Sequence, residues 1–282
     1  MAVSYFEVVQ QRGRPGPEVM ADFGAFTRQA FSPGEGLPVL IPTYNEAEDL
    51  PVALAALARS SVDVEPIVVD SSSPDGTAEV ASEMGATVLS IDRGQMLAYK
   101  AGMQYVRQKR GTGPLLITDA DCIPGRKWAE AMVRSANLSP SLGGVAFGTT
   151  VFFNGKSPAT DAIRSMRALS RDRFRRLYGA RPLQRGNNCH VQLDYRDLIL
   201  GRILEQDDRA FPCDVILGTC IFDVTGQRIA VTNPSTIVLT DGDRYDSVAM
   251  LVRQYIGQKT GRLDRIDMYA DHGLGVHATA HE

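Results

Sequence analysis

The chain has 282 residues, of which 44% are hydrophobic and 22% charged, proportions that are typical of a globular protein with one large domain and appendages. Its formal net charge of −3 provides no global attraction to nucleic acid or acidic membranes, and its four cysteines lack the paired spacing of a zinc site or a disulfide framework. The sequence predicts neither a secretory signal nor a transmembrane segment, so we expect a cytoplasmic protein.

Strands and helices alternate through the first half of the chain, after an N-terminal appendage at residues 1–36. Short apolar runs predict strands, and the segments after them predict helices. The strands fall at 37–41, 66–69, 87–91 and 115–118, and the helices at 45–59, 75–84, 95–109 and 126–137. Thr43 or Asn45 would cap the first of these helices. This alternation indicates an α/β fold with a mainly parallel sheet that is covered by helices on both faces.

The second half of the chain is less regular. A β-rich stretch at 144–153 precedes predicted helices and further strands. The helices fall at 159–178, 214–224 and 245–259, and the strands at 229–231 and 235–239. We therefore predict a first half of the domain at 37–140, a second half at 141–260 and a C-terminal tail at 261–282.

Polar clusters follow each of the four predicted strands of the first half. They occupy residues 43–46, 70–73, 92–94 and 119–121. Because ligands of parallel α/β sheets bind beyond the carboxyl ends of the strands, these clusters predict one site at one edge of the sheet.

The last cluster, Asp119-Ala120-Asp121, directly follows a buried strand. Ionised carboxylates that lose water need a cation or several hydrogen-bond donors, and carboxylate oxygens suit Mg²⁺ or Mn²⁺. The alternative is a capped loop in which Asp121 starts the next helix.

These clusters resemble the motifs of family 2 glycosyltransferases of the GT-A fold. The resemblance begins at residues 39–46 and continues through 67–77 and through Arg93-Gly94 with Ala98, Lys100 and Gly102. It ends on Asp119-Ala120-Asp121, at the position of the family's D-x-D motif. It implies a Rossmann-like GT-A sheet, with a nucleotide-sugar-binding half at 37–140 and an acceptor-binding half at 141–260.

The resemblance implies a nucleotide-diphospho-sugar donor that is held with Mn²⁺ or Mg²⁺. Asp119 and Asp121 would bind the metal, with Asp121 as the firmer ligand and Asp119 shared with the donor ribose. The residues implied in donor binding are Pro42, Thr43, Tyr44, Glu46, Asp70, Arg93, Lys100, Asp119 and Ala120. A UDP-sugar is favoured, although Ser71 stands where many family members carry a second acid.

Within this donor set, Pro42, Thr43 and Asp70 would flank the base and ribose, because a carboxylate accepts hydrogen bonds from base N–H groups and ribose hydroxyls. Arg93 and Lys100 would meet the diphosphate. Two bland alternatives stay open: Arg93 as a surface cation, and Lys100 on a solvated helix face.

For the acceptor half, the resemblance implies an Asp that acts as general base for inversion of the anomeric carbon. Asp214 is the best match, although Cys213 replaces the expected Glu, and Asp207-Asp208 offers a rival alignment. The motif around Asn187 and Asn188 resembles the loop that shapes the family's acceptor side, and a plain glycine turn is the alternative.

Arginines recur on one face of the helix predicted at 159–178 and continue beyond it, a pattern that favours a solvated face or an anionic acceptor. The shared face carries Arg164, Arg167, Arg171 and Arg175, and the charge is increased by Arg173, Arg176, Arg181 and Arg185. Contact with a peripheral membrane or with nucleic acid, and a homo-oligomer, stay open. His272, His277 and His281 are read as part of a polar tail rather than as metal ligands.

Three other functions are weighed against an inverting transferase. They are a retaining GT-A glycosyltransferase, a nucleotidyltransferase and a catalytically silent sugar-nucleotide-binding module. A nucleotidyltransferase typically has a glycine-rich, lysine-bearing loop after its first strand, whereas this chain has Pro42-Thr43-Tyr44-Asn45-Glu46.

Overall fold

The computed structural model describes residues 17–31, 33–111, 113–137, 145–153, 188–191, 196–208, 216–217, 220, 224 and 234–241. Helix and strand bounds in the first half are α1 (Pro17–Ala30), β1 (Leu37–Thr43), α2 (Leu50–Leu57), β2 (Val64–Asp70), α3 (Thr77–Glu83), β3 (Thr87–Ser90), α4 (Gln95–Arg110), β4 (Leu115–Thr118), β5 (Cys122–Pro124) and α5 (Trp128–Asn137). They continue with β6 (Val145–Phe147), β7 (Thr149–Phe153), β8 (Asn188–Val191), α6 (Arg196–Leu204), a 3₁₀ turn (Pro234–Thr236) and β9 (Ile237–Asp241). No helix in these ranges is long and apolar enough to cross a membrane.

The main sheet has six strands in the order β3-β2-β1-β4-β8-β6. The first four strands are parallel, and β8 runs antiparallel to both β4 and β6. The chain order reverses direction between β1 and β4, so the crevice at their carboxyl ends is the topological switch point at which such sheets bind ligands. The predicted mixed, mainly parallel α/β sheet is confirmed.

Two hydrophobic clusters cover the two faces of this sheet, because neighbouring side chains of a strand point to opposite sides. Val39 and Ile41 of β1 pack into a cluster with α2, α3 and α5. Leu40, between them, packs into the other cluster with α4 and α6. Helices therefore lie on both faces, as the apolar pattern of the strands predicts.

A second sheet of three strands, in the order β5-β9-β7, follows the last polar cluster. β5 pairs antiparallel with β9, and β9 pairs parallel with β7. The sequence predicts β-structure in the regions of β7 and β9 but not β5. This sheet matters for the site because β5 begins at Cys122, directly after Asp121.

Helix α2 begins later than predicted. It starts at Leu50, with Asp49 as its N-cap, rather than near residue 45. Asn45 has a left-handed backbone (φ 57°), which ends any continuous helix there. The prediction that Thr43 or Asn45 caps this helix is therefore wrong.

Helix α4 lies very close to the sheet at Gly102. A Cβ on Gly102 would lie 2.1 Å from Leu40 Cδ1 and 3.1 Å from Val69 Cγ2. Only glycine allows this approach without a shift of the sheet side chains. The close contact sets the position of the α4 N-terminus, which carries the third polar cluster to the edge of the sheet.

The predicted boundary between the two halves at residues 140 and 141 stays a prediction. The helices predicted at 159–178 and 245–259, the strand at 229–231 and the tail at 261–282 lie outside the described residues.

Candidate functional site

Three of the strand-end loops are joined to one another by backbone hydrogen bonds. Thr43 and Asp70 are directly opposite each other at the ends of β1 and β2. The Ser71 N–H donates to the Thr43 carbonyl (3.0 Å), and the Ile91 N–H donates to the Asp70 carbonyl (2.9 Å). The predicted meeting of these clusters at one edge is therefore seen in the structure.

Asp70 presents a fixed carboxylate at the centre of this edge. Its side chain is 2% exposed, and it accepts hydrogen bonds from the Ser73 N–H (3.0 Å) and the Ser73 hydroxyl. Thr43 Oγ1 lies 3.5 Å from Asp70 Oδ1 and also donates to the Val69 carbonyl at 3.2 Å. Buried carboxylates need such donors, and these fix the orientation of Asp70 at the edge of the sheet.

The first loop is bound to the second through its own backbone N–H groups. The Asn45 N–H donates to Ser73 Oγ (3.0 Å), and the Glu46 N–H donates to Thr77 Oγ1 (2.9 Å). Glu46 is buried, at 8% exposure. These bonds hold the chain between β1 and α2 in place, and the left-handed backbone of Asn45 excludes a helical turn there.

Asp75 completes this connection. It accepts hydrogen bonds from the Ala47 N–H (3.1 Å), the Thr77 N–H (3.1 Å) and the Thr77 hydroxyl (2.5 Å). Partial burial opposes ionisation of Asp75, but the bonds from Thr77 and Ala47 outweigh it, so the pKa of Asp75 lies below its usual value of 3.8. Its ionised form therefore stabilises the first two loops.

Arg93 and Tyr44 meet at the solvent side of the edge. The Arg93 guanidinium carbon lies 4.4 Å from the centre of the Tyr44 ring, a distance at which a cation is attracted to an aromatic face. Arg93 itself is exposed. The contact joins the first and third loops and leaves a cation at the rim of the crevice.

Lys100 is buried and paired, although it lies on a helix. Only 8% of Lys100 is exposed, and its Nζ donates to the Gln206 carbonyl (2.6 Å) and to Asp208 Oδ1 (2.5 Å). The alternative that Lys100 lies on a solvated helix face is therefore wrong. Asp208, one of the two acids of the rival base alignment, is instead the partner of this lysine.

The D-x-D motif gathers carboxylates at the end of β4. Asp121 (8% exposed) and Ala120 (2%) are buried, and Asp119 is half-buried. Ligand atoms of Asp119, Asp121 and Cys122 all lie within 4.8 Å of one another. Two carboxylate oxygens so close together fit a divalent cation such as Mn²⁺ or Mg²⁺. Because β5 follows directly and α5 begins only at Trp128, Asp121 does not start a helix.

Cys122 belongs to this cluster, and the sequence reasoning did not single it out. Its side chain is fully buried, and its thiol donates to Asp121 Oδ1 at 3.4 Å. Burial, followed by the negative charges of Asp121 and Asp119, raises the pKa of Cys122 well above 9.0. The sequence feature that could have identified Cys122 is its position directly after the D-x-D motif.

Some of the remaining predicted site residues lie within the described part of the chain, and others lie outside it. Pro42 lies at the end of β1, opposite Val69. Asn188 of β8 is opposite Thr118, the residue before the D-x-D motif. Outside the described residues lie Asp214, Asn187, the arginines of residues 164–185 and the three late histidines.

Curated relatives match only part of the chain. A 4,4'-diaponeurosporenoate glycosyltransferase from Staphylococcus haemolyticus is 46% identical over 57 residues, which is 20% of this chain and 15% of that protein. A polyprenol monophosphomannose synthase from Mycolicibacterium smegmatis is 36% identical over 93 residues, which is 29% of this chain and 34% of that protein. The matched stretch thus covers about a third or less of each relative.

The fold is similar to that of glucosyl-3-phosphoglycerate synthase from Mycobacterium tuberculosis, solved in complex with Mn²⁺, UDP and phosphoglyceric acid. The TM-score is 0.54 at 17% sequence identity, over 86% of this chain and 82% of that one. The similarity confirms the GT-A fold that the sequence motifs imply.

The family model for glycosyl transferase family 2 matches residues 39–194, more than half of the chain. That range includes most of β1, all of β2, β3 and β4, and the D-x-D motif. The chain belongs to glycosyl transferase family 2.

Proposed function

We propose that the protein transfers a sugar from a metal-bound nucleotide-diphospho-sugar, with a UDP-sugar as the favoured donor, to a hydroxyl group of an acceptor. One observation carries the proposal: a buried, oriented carboxylate (Asp70) and a cluster of two further carboxylates (Asp119 and Asp121) lie at the same sheet edge. Family membership supports it, as does the similar fold of a synthase whose complex contains Mn²⁺ and UDP.

The donor's base and ribose would lie over the ends of β1 and β2. There Asp70 accepts hydrogen bonds from a base N–H or a ribose hydroxyl, with Pro42 and Thr43 beside it. Tyr44 and Glu46 belong to the same loop. Because the Asp70 carboxylate is already oriented by Ser73, little ordering of its side chain would be needed on binding.

The diphosphate would lie between the first, third and fourth loops. Asp119 and Asp121 would hold Mn²⁺ or Mg²⁺, which supplies neutralisation of the charge that develops on the leaving nucleoside diphosphate. Asp119, the more exposed of the two, would also contact the ribose. Arg93, which lies beside the Tyr44 ring, would turn toward the phosphates. Lys100 would donate the third N–H of its ammonium to a phosphate oxygen while it stays paired with Asp208.

On the acceptor side, Asp214 would take the proton from the attacking hydroxyl, so that a single displacement inverts the anomeric carbon. The pairing of Asp208 with Lys100 (2.5 Å) favours Asp214 over the rival acid pair. The anomeric configuration of the first-formed product, read by proton NMR, tests this step, and a retained configuration would exclude it.

An anionic acceptor is proposed from the arginines of residues 164–185. Two names support it: one relative is a polyprenol monophosphomannose synthase, and the similar structure contains phosphoglyceric acid. The double variant Arg167→Glu with Arg171→Glu should weaken acceptor binding and reduce its salt dependence. If both stay unchanged, the acceptor is not held by these arginines. A cytoplasmic location and a homo-oligomer stay predictions.

The donor assignment is tested by thermal shift with UDP, GDP, UDP-sugars and GDP-sugars, each with and without Mn²⁺. Stabilisation should grow with ligand concentration relative to Kd and should be larger with Mn²⁺. No shift with any nucleotide would exclude the donor site.

A catalytically silent binding module is the second candidate, because Cys213 stands in place of the expected Glu. Metal-dependent hydrolysis or transfer of the donor sugar would exclude it, whereas binding without turnover would favour it.

A further inference from the structure

We propose that Cys122 is a positioning residue of the metal site: its thiol orients the Asp121 carboxylate, and Thr240 of the small sheet fixes the thiol. The inference rests on the proposed function, since it concerns the cation that Asp119 and Asp121 would hold. It assigns a role to a side chain that is neither a carboxylate nor part of the D-x-D motif.

The first step is the contact between thiol and carboxylate. Cys122 Sγ donates to Asp121 Oδ1 at 3.4 Å, and both side chains are withdrawn from water, with Cys122 at 0% and Asp121 at 8% exposure. A hydrogen bond to one carboxylate oxygen restricts rotation of the group, so that the carboxylate is held in one orientation when a cation binds. Groups that orient metal-binding carboxylates in this way typically change metal affinity by about 10–100-fold when they are removed.

The second step is the support behind the thiol. Cys122 of β5 is directly opposite Thr240 of β9, and the Thr240 side chain, 3% exposed, is hydrogen-bonded to the thiol. β9 is in turn paired with β7 along five residues. The small sheet therefore holds the D-x-D loop from its C-terminal side, as β4 holds it from the N-terminal side.

The third step decides between positioning and direct ligation. The Cys122 sulfur lies within the same 4.8 Å cluster as the two carboxylates, so geometry alone allows either role. Mn²⁺ and Mg²⁺ prefer oxygen ligands, whereas a thiolate selects softer ions such as Cd²⁺ or Zn²⁺. A thiol that donates to Asp121 contacts a ligand of the metal rather than the metal itself. The sulfur should therefore give the site no preference for Cd²⁺ or Zn²⁺ over Mn²⁺.

The experiment compares Cys122→Ala and Cys122→Ser with the wild-type protein by calorimetric titration of UDP. Two quantities are measured: the UDP affinity without metal, and the Mn²⁺ concentration that half-saturates the metal-induced gain in that affinity. In Cys122→Ala, the Mn²⁺ requirement should rise by about 10-fold or more, with the metal-free UDP affinity unchanged. In Cys122→Ser, the serine hydroxyl can also donate to Asp121, so the Mn²⁺ requirement should stay within about threefold of wild type.

Two further variants sharpen the design. Cys220→Ala serves as the matched control, because Cys220 is also a buried cysteine but lies in the core cluster on the other face of the sheet. This variant should leave the Mn²⁺ requirement unchanged. Thr240→Val should raise that requirement by a few-fold, and it tests the proposal independently if Cys122→Ala does not fold.

Three results would overturn the proposal. One is an unchanged Mn²⁺ requirement in folded Cys122→Ala or, where that variant does not fold, in Thr240→Val. The second is a wild-type preference for Cd²⁺ over Mn²⁺ that disappears in Cys122→Ser, which would make the thiol a direct ligand. The third is a wild-type protein that binds UDP with no dependence on Mn²⁺. A wild-type protein that binds no nucleotide at all would be a failure of the proposed function itself.

Discussion

Replacement of Gly102 by alanine tests how closely α4 lies on the central sheet. The new methyl group would lie 2.1 Å from Leu40 Cδ1 and 3.1 Å from both Leu40 Cδ2 and Val69 Cγ2. Leu40 and Val69 are completely buried, so neither can turn toward solvent to make room. Either α4 moves outward or the sheet side chains leave their preferred rotamers.

The magnitude follows from two opposing effects. Alanine in a helix interior is favoured over glycine by about 1 kcal/mol. Overpacking of a filled core costs about 1–3 kcal/mol. Gly201, inside α6, provides the matched control, because nothing lies within 4 Å of the position that its Cβ would occupy. Gly201→Ala should therefore gain about 1 kcal/mol, and Gly102→Ala should be less stable than Gly201→Ala by about 1–3 kcal/mol.

Urea unfolding, followed by circular dichroism for wild type and both variants, measures this difference directly. The helix propensity contribution is common to the two substitutions and cancels when they are compared. UDP affinity gives a second readout, since α4 carries Gly94 and the third loop, and it should fall in Gly102→Ala only. If Gly102→Ala is as stable as Gly201→Ala, the inferred tight packing of α4 is wrong.

Three shorter predictions concern charged groups of the site. Asp121→Asn should raise, by at least about 10-fold, the Mn²⁺ concentration that is needed to tighten UDP binding, as measured by calorimetry. An unchanged Mn²⁺ requirement would show that Asp121 is not a metal ligand. Asp75→Asn should cost about 1 kcal/mol of unfolding free energy near neutral pH, allowing for solvent screening. The folded pKa of Asp75 lies below 3.8, so its contribution to stability is present above pH 3.8 and is lost as the pH falls through the folded pKa. The unfolding free energies of wild type and Asp75→Asn should therefore converge in acid, which urea unfolding from pH 7 to 3 tests. Asp208→Ala should cost about 1 kcal/mol, and its effect should vanish in a Lys100→Met background, which a double-mutant cycle by urea unfolding detects.

The parallel half of the fold could be predicted from the sequence because each of its strands and helices depends on residues that are close together in the chain. The strand predicted at 115–118 has the bounds of β4, and the helix predicted at 95–109 differs from α4 by one residue. Continuous apolar runs of four or more residues identify buried strands, and polar residues after them identify the ligand edge. The resemblance to family 2 glycosyltransferases is more specific than any single cluster, because it depends on the order and spacing of all four clusters.

What could not be predicted depends on residues that are distant in sequence. The first loop is shaped by Thr77 and Asp75, roughly thirty positions away from the backbone groups that they bind, so a helix starting near Asn45 was the natural local reading. The partners of Lys100 lie 106 and 108 positions away. β5 has three residues and exists because β9 pairs with it.

The pairing of β5 with β9 also has a consequence for the order in which the site is completed during synthesis. The first three strand-end loops are complete by residue 94, and their strands pair with near neighbours in the chain. The hydroxyl behind the Cys122 thiol arrives only with Thr240, and such distant pairings form late because they close a long loop. A ribosome-bound chain would therefore possess the first three loops of the proposed donor site before it possesses a supported D-x-D motif. The proposed metal-dependent transfer would await nearly the whole of the described fold.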